Sequence, residues 1–254
     1  MTGFRPDHAG ADVRTSPNFG PRRDNKAPTI LLLHYTGMET GEAAESWLCD
    51  PASNVSCHYI VHEDGRIVQM VREADRAWHA GAAYWAGETD INSASIGIEI
   101  VNPGHAGELP EFPQAQIDAV IDLSRGIVQR HGIHPENVLA HSDVAPGRKC
   151  DPGEKFPWSR LADAGLCIYV EPAAIDKGDL LQAGAKGEAV EKLQSMLALV
   201  GYGVDISGNF DERTRDCVTA FQRRYRARKV DGIADPSTVK TLEALLDRLP
   251  DAFS

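Results

Sequence analysis

The chain has 254 residues, 42% hydrophobic and 25% charged, ordinary proportions for a globular protein with room for two domains. Its formal charge of −11 argues against nucleic acid as a general partner, since phosphate binding needs a basic stripe. No stretch approaches about 18 consecutive apolar residues, so no membrane span is expected.

Residues 1–26 are rich in Pro, Gly, Asp and Arg and read as an extended lead-in with little structure of its own. Met1 to Arg23 holds no apolar run fit for a signal-peptide core, so a cytoplasmic location is expected. Regular structure begins at the apolar run Thr29 to Tyr35, read as a buried strand ended by Thr36-Gly37. His58 to His62 and Arg66 to Val71 flank Glu63-Asp64-Gly65, a hairpin signal. Ser95 to Val101 is a further strand, stopped by Asn102-Pro103-Gly104. Gln114 to His131 carries Ile117, Val120, Ile121, Ile127 and Val128 at helical spacing, with Pro113 at the entry and Gly132 at the exit. Val138 to His141 is one more short strand. Strands and helices mixed in this order predict an α/β (α+β) domain over 27–168, built on a mixed central β-sheet flanked by helices.

Residues 169–178 read as a linker. Beyond it, over 179–250, the periodicity is helical: Val190, Leu193, Met196, Leu197 and Val200, then Val218, Phe221 and Tyr225, then Val239, Leu242, Leu245 and Leu246. The form G-x-x-D-x-x-T occurs twice, at Gly208 to Thr214 and Gly232 to Thr238, and each Asp is placed to cap the helix that follows. A small three-helix domain is predicted. Cys49, Cys57, Cys150, Cys167 and Cys217 are odd in number, scattered and without C-x-x-C, so free thiols are expected.

Three features carry chemistry. His34 and His141 each end a strand. Glu99 alternates with Ile96, Ile98 and Ile100 on a face shared with Ser95 and Gly97, so it points into open space. Two histidines and a carboxylate are a common catalytic zinc set, and such a site also needs a base and a positive group, roles that Glu99 and Lys149 fit. Spacing alone leaves the alternatives standing: structural histidines, an edge-strand charge at Glu99, a plain turn at Asp151-Pro152-Gly153. A paired-carboxylate glycosidase lacks a second acidic partner for Glu99.

The segments Leu32-Leu33-His34-Tyr35-Thr36, Ser95-Ile96-Gly97-Ile98-Glu99, His141 to Lys149 and Asp151-Pro152-Gly153 resemble the zinc-dependent N-acetylmuramoyl-L-alanine amidases, which share a fold with peptidoglycan recognition proteins. Ser56-Cys57-His58-Tyr59, Asp64-Gly65 and Ala77 to Gly81 fall where that family has similar segments. The resemblance covers about residues 27 to 160. It implies one Zn2+ held by His34, His141 and Asp151, Glu99 as the catalytic glutamate and Lys149 as its lysine partner. Some relatives use a cysteine as third ligand. Asp151 is preferred over Cys150 here because the spacing from Lys149 and the following Pro-Gly fit it. Trp78, Tyr84 and Trp85 are candidates to stack on sugar rings, with core or rim packing as the alternative. Tyr59, His79 and His105 are further candidates to line the substrate pocket.

The tail resembles the three-helix peptidoglycan-binding domain of wall hydrolases, through Val190 to Gln194, Gly201-Tyr202, Gly208 to Asp211, Phe221-Gln222 and Asp231-Gly232. Its alternative role is to buttress the enzyme or mediate a dimer. Peptidoglycan or muropeptide fragments are thus the expected partners. A wall-binding tail favours a periplasmic or wall-associated site of action, against the cytoplasmic expectation above. The rival function is a peptidoglycan recognition protein that binds without cutting.

Overall fold

The computed structural model describes residues 4–250. In chain order it forms β1 (Asp12–Val13), β2 (Phe19–Pro21), β3 (Ile30–Tyr35), α1 (Gly41–Leu48), β4 (Tyr59–Val61), β5 (Ile67–Gln69), β6 (Asp75–Ala77), α2 (Ile91–Ala94), β7 (Ser95–Ile100), α3 (Gln114–His131), β8 (Val138–Ala140), α4 (His141–Val144), α5 (Trp158–Asp163), α6 (Glu188–Val200), α7 (Glu212–Tyr225) and α8 (Pro236–Leu246). The main sheet has the order β1-β5-β4-β7-β3-β8, and β2 with β6 makes a small second sheet. It is mixed, as expected: β3 runs parallel to β7 and β8, and β4 is parallel to β7 but antiparallel to β5.

Alternation along β3 and β7 divides the core. Leu31, Leu33, Ile96, Ile98 and Ile100 pack under α3, whose Ile117, Val120, Leu123 and Ile127 are buried. Helix α3 spans Gln114 to His131, entered at Pro113 and closed by Gly132 in the left-handed conformation (φ 63°). The opposite face presents Ile30 and Leu32, and these join a single core with Val190, Leu193, Leu197, Tyr202 and Phe221 of the tail. The sheet domain and the tail therefore share apolar burial rather than hanging from a flexible connection. The connection itself is tied down, since Ala173 donates its N–H to Thr241 Oγ1 and accepts from Ser237 Oγ.

The tail's sequence repeat has a structural cause. Gln194 Oε1 accepts from the N–H groups of Ser207 and Gly208 while its Nε2 donates to Asn209 O and Thr214 Oγ1. Gln222 repeats this with Asp231 and Gly232, Ile233 O and Thr238 Oγ1. Asp211 and Asp235 cap α7 and α8 as the sequence indicates.

The lead-in departs from expectation. Asp12–Val13 pairs in parallel with β5, and Phe19–Pro21 pairs antiparallel with β6. Arg22 is buried and donates to the carbonyl oxygens of Glu73, Ser93 and Ser95. Residues 4–22 thus strap the sheet domain by main-chain pairing, which leaves no apolar period to read; residues 1–3 of the lead-in lie outside the described chain. All five cysteines are free. Among the described residues no helix is long and apolar enough to cross a membrane.

Candidate active site

Parallel pairing of β3 with β7 puts His34 in register with Glu99, and β8 on the other side of β3 delivers His141 at its end. The segment after α4 returns so that Ser142 N–H donates to Asp151 O, 3.0 Å away. His34 Nδ1, His141 Nδ1 and Asp151 Oδ2 then converge: the two carboxylate contacts are 3.0 and 2.9 Å and the imidazole nitrogens are 2.9 Å apart. All three side chains are buried.

The outer nitrogens of both rings fix which atoms carry protons. His141 Nε2 lies 3.0 Å from Ala80 O, an acceptor only, so its proton sits on Nε2 and Nδ1 offers a lone pair. For His34 the direction comes from a chain of three bonds. Ser95 Oγ donates to Ile91 O at 2.6 Å, which uses its proton, so it accepts from His79 Nε2 at 3.3 Å. His79 Nδ1 must then accept from His34 Nε2 at 3.0 Å, and His34 Nδ1 is left as a lone pair. Burial, then the neighbouring His141, lowers the His34 pKa to about 4, so the ring is neutral at pH 7. Burial opposes ionisation of Asp151, yet His141 and His34 hold its carboxyl below the ordinary range. Three lone-pair atoms facing one another without a proton between them repel unless a cation sits among them. Two imidazoles and a carboxylate are a donor set suited to zinc, with further positions left for water or substrate. The residues fit the metal.

Glu99 stands beside this triad. Its Oε2 is closed off from solvent and has no hydrogen-bond partner among the described residues. Burial, and the charge of Asp151, push its pKa well above the usual carboxylate value, with Lys149 acting in the opposite sense. Glu99 does face the cleft, but the space over Gly97 is filled: a Cβ at Gly97 would lie 2.6 Å from the His79 ring. The glycine is there to seat His79.

The cleft has a volume of about 410 Å³. Its polar lining includes the triad, Glu99 and Lys149; Lys149 is exposed, and its side chain has no hydrogen-bond or ion-pair partner among the described residues. Cys150 turns aside, with Sγ 3.1 Å from the Tyr35 hydroxyl. Met38, Trp47, Leu48, Val55 and Trp78 add an apolar lining to the same cleft.

Of the pocket candidates, Trp78 and His79 line the cleft, and His105 stands at its edge, bound to Tyr35 and Glu154. Three others are elsewhere. Tyr59 is fully buried in the α3-side core and donates its hydroxyl to Glu73. Trp85 is buried against Tyr202 of the tail, ring centroids 5.1 Å apart, and Tyr84 packs beside Gly203. Aromatic character could not separate a sugar platform from a domain contact, because the tail that covers them lies over 100 residues away in sequence. Sequence reasoning missed Trp47, 51% exposed on α1. Its helix is marked by Thr40, whose side chain caps Ala43, but eight residues gave too short a period to read.

A model of the N-acetylmuramoyl-L-alanine amidases matches residues 24–154, and one of peptidoglycan binding domains matches residues 186–242. N-acetylmuramoyl-L-alanine amidase AmiD of Escherichia coli is 38% identical over 232 residues, covering 86% of this chain and 82% of its own. The 1,6-anhydro-N-acetylmuramyl-L-alanine amidase AmpD of the same organism is 32% identical over 169 residues, 60% of this chain and 90% of its own. The solved complex of E. coli AmiD with anhydro-N-acetylmuramic acid-L-Ala-D-gamma-Glu-L-Lys superposes with a TM-score of 0.73 at 36% identity, covering 92% of this chain and 93% of that one. AmpDH3 of Pseudomonas aeruginosa superposes with a TM-score of 0.74 at 30% identity, covering 93% and 96%. On this fold, this site and these matches, the chain belongs to the N-acetylmuramoyl-L-alanine amidase family.

Proposed function

We propose that the chain hydrolyses the amide between N-acetylmuramic acid, or its 1,6-anhydro form, and the L-alanine of the stem peptide, with one Zn2+ held by His34, His141 and Asp151. The observation that carries this reading is the set of three buried lone-pair atoms converging within 3.0 Å beside Glu99. Bound there, zinc supplies Lewis acidity to the scissile carbonyl and acidifies water to a pKa of about 7.

The protein's own groups account for the rest. Glu99, whose carboxylate form a cation held by the neighbouring triad would favour, takes the proton from the attacking water; burial then favours the protonated acid, which delivers the proton to the leaving amine. Lys149, a cation lining the cleft whose side chain has no partner among the described residues, is suited to stabilise the negative charge that develops on the carbonyl oxygen. His79 and Ser95 hold His34 in the tautomer that presents Nδ1. Met38, Trp47, Val55 and Trp78 offer an apolar wall for the ring face or stem peptide.

The substrate named for the AmiD complex supports an anhydro-muropeptide here as well. Action in the cytoplasm goes with preference for that soluble fragment, whereas a periplasmic or wall-associated enzyme also cuts intact sacculi, where the tail is of use. Zinc is tested by removing metal with a chelator and titrating it back. One zinc per chain with recovery of muropeptide cleavage is expected; cleavage that survives full metal removal refutes the reading.

A further inference from the structure

The residues 141–154 that supply His141, Lys149 and Asp151 hold only one short helix, α4, and are otherwise irregular. Such a segment places three functional groups well only if something outside it fixes its path. Helix α7 of the tail runs against its outer side and touches it at four places. Arg213 Nη1 donates to Pro146 O at 3.3 Å; Asp216 lies against Gly147; Arg223 pairs with Glu154 at 3.4 Å; Arg224 Nη1 pairs with Asp143 at 2.7 Å.

The last contact reaches furthest inward. Arg224 and Asp143 are 3% and 1% exposed, so the pair is fully enclosed. Asp143 Oδ2 also accepts the N–H of Ala140, the residue before His141, and Oδ1 accepts the Tyr202 hydroxyl at 2.9 Å. Arg224 Nη2 donates to Val138 O at the start of β8, and the guanidinium lies 4.0 Å from the centre of the Trp158 ring. Two tail residues thus hold, from both ends, the strand-to-helix turn that presents His141. On the same side Gly201 admits Trp85 so closely that a Cβ there would stand 2.6 Å from the indole.

We propose that the wall-binding domain is also part of the metal site's framework: Arg224 and Tyr202 are positioning residues that act through Asp143 on His141. Zinc affinity is therefore coupled to the docking of the tail, and a wall contact that shifts α7 reaches the catalytic centre. The inference rests on the zinc reading above.

The chain contains its own control. Arg226, two residues on and 1% exposed, is paired with Asp231 and Asp235, both within the tail. Its loss weakens the tail without touching α4. The experiment measures zinc affinity of full-length Arg224→Met, Arg224→Lys, Tyr202→Phe and Arg226→Met by competition with a chromophoric chelator. The visible spectrum of the cobalt-substituted proteins and the thermal midpoints are recorded alongside. Arg224→Met is expected to weaken zinc binding about tenfold or more, the cost typical of groups that orient metal ligands, and to change the cobalt bands. Arg224→Lys recovers part of the loss, and Tyr202→Phe costs about threefold, a fraction of that effect. Arg226→Met lowers the thermal midpoint and leaves zinc affinity as in the wild type. Wild-type affinity in folded Arg224→Met and Tyr202→Phe overturns the proposal, and so does an equal loss in Arg226→Met. If Arg224→Met does not fold, Tyr202→Phe decides, because it keeps the ring and removes only the hydroxyl. A wild type that binds no zinc overturns the metal reading itself and this inference with it, an outcome distinct from the others.

Discussion

Replacing Glu99 by Gln separates what the fold wants from what the reaction needs. The glutamate is enclosed beside Asp151, its Oε2 lacks a partner among the described residues, and both burial and the aspartate charge oppose its ionisation. A carboxyl whose pKa is raised in the fold is neutral in both states below its unfolded value of about 4.3. Stability is then lost as pH rises through the folded value, because the unfolded chain ionises freely and the native one does not. Glutamine has the same shape and no charge. Its amide still leaves a buried polar atom unpaired, so the gain is modest, on the order of 1 kcal/mol at pH 8, or about 2–4 °C in Tm for a chain of this size. Differential scanning calorimetry of metal-free protein should show Glu99→Gln melting above wild type at pH 8, with the gap closing towards pH 4. Added zinc narrows the gap, since a nearby cation favours the carboxylate. The same change removes the general base and lowers kcat by about 10²–10⁴-fold. A variant that melts below wild type at pH 8, or retains its kcat, refutes the reasoning.

Further outcomes follow from the same geometry. Asp151→Ala should lose zinc while Cys150→Ala keeps it, because Cys150 Sγ is turned to Tyr35; metal analysis after gel filtration reads both. His79→Ala, which removes the acceptor of the His34 Nε2 proton, should weaken zinc binding about 10–100-fold in a chelator competition. Trp47→Ala should raise KM for a muropeptide about fivefold, corresponding to about 1 kcal/mol of ring contact, and leave kcat near wild type. Trp85→Ala should instead leave KM unchanged and lower stability by about 3–5 kcal/mol, seen as a lower denaturation midpoint, because its indole is buried against the tail.

Strongly periodic elements were legible before any coordinates. β3, β7, α3 and the three tail helices announce themselves by apolar spacing and by caps such as Asp211, Asp235 and Gly132, and the structure forms each of them. The convergence of His34, His141 and Asp151 was legible only through resemblance to the amidases, because a register between three separate segments leaves no local spacing. What stayed hidden is what depends on distant main chain. The strap through Arg22 is made of bonds to carbonyl oxygens, which any sequence supplies. Gly97 looked like open space and is the seat of His79. Trp85 looked like a sugar platform and is a contact with a tail whose position no pattern near residue 85 encodes.

The most direct test of the whole account is a mass-spectrometric digest of purified anhydro-muropeptide and of intact sacculi, with and without chelator. Zinc-loaded enzyme should release stem peptides that begin at L-alanine, with the sugar freed as its own product, and chelation should abolish both. Intact muropeptide recovered after incubation with fully zinc-loaded, folded protein would contradict it.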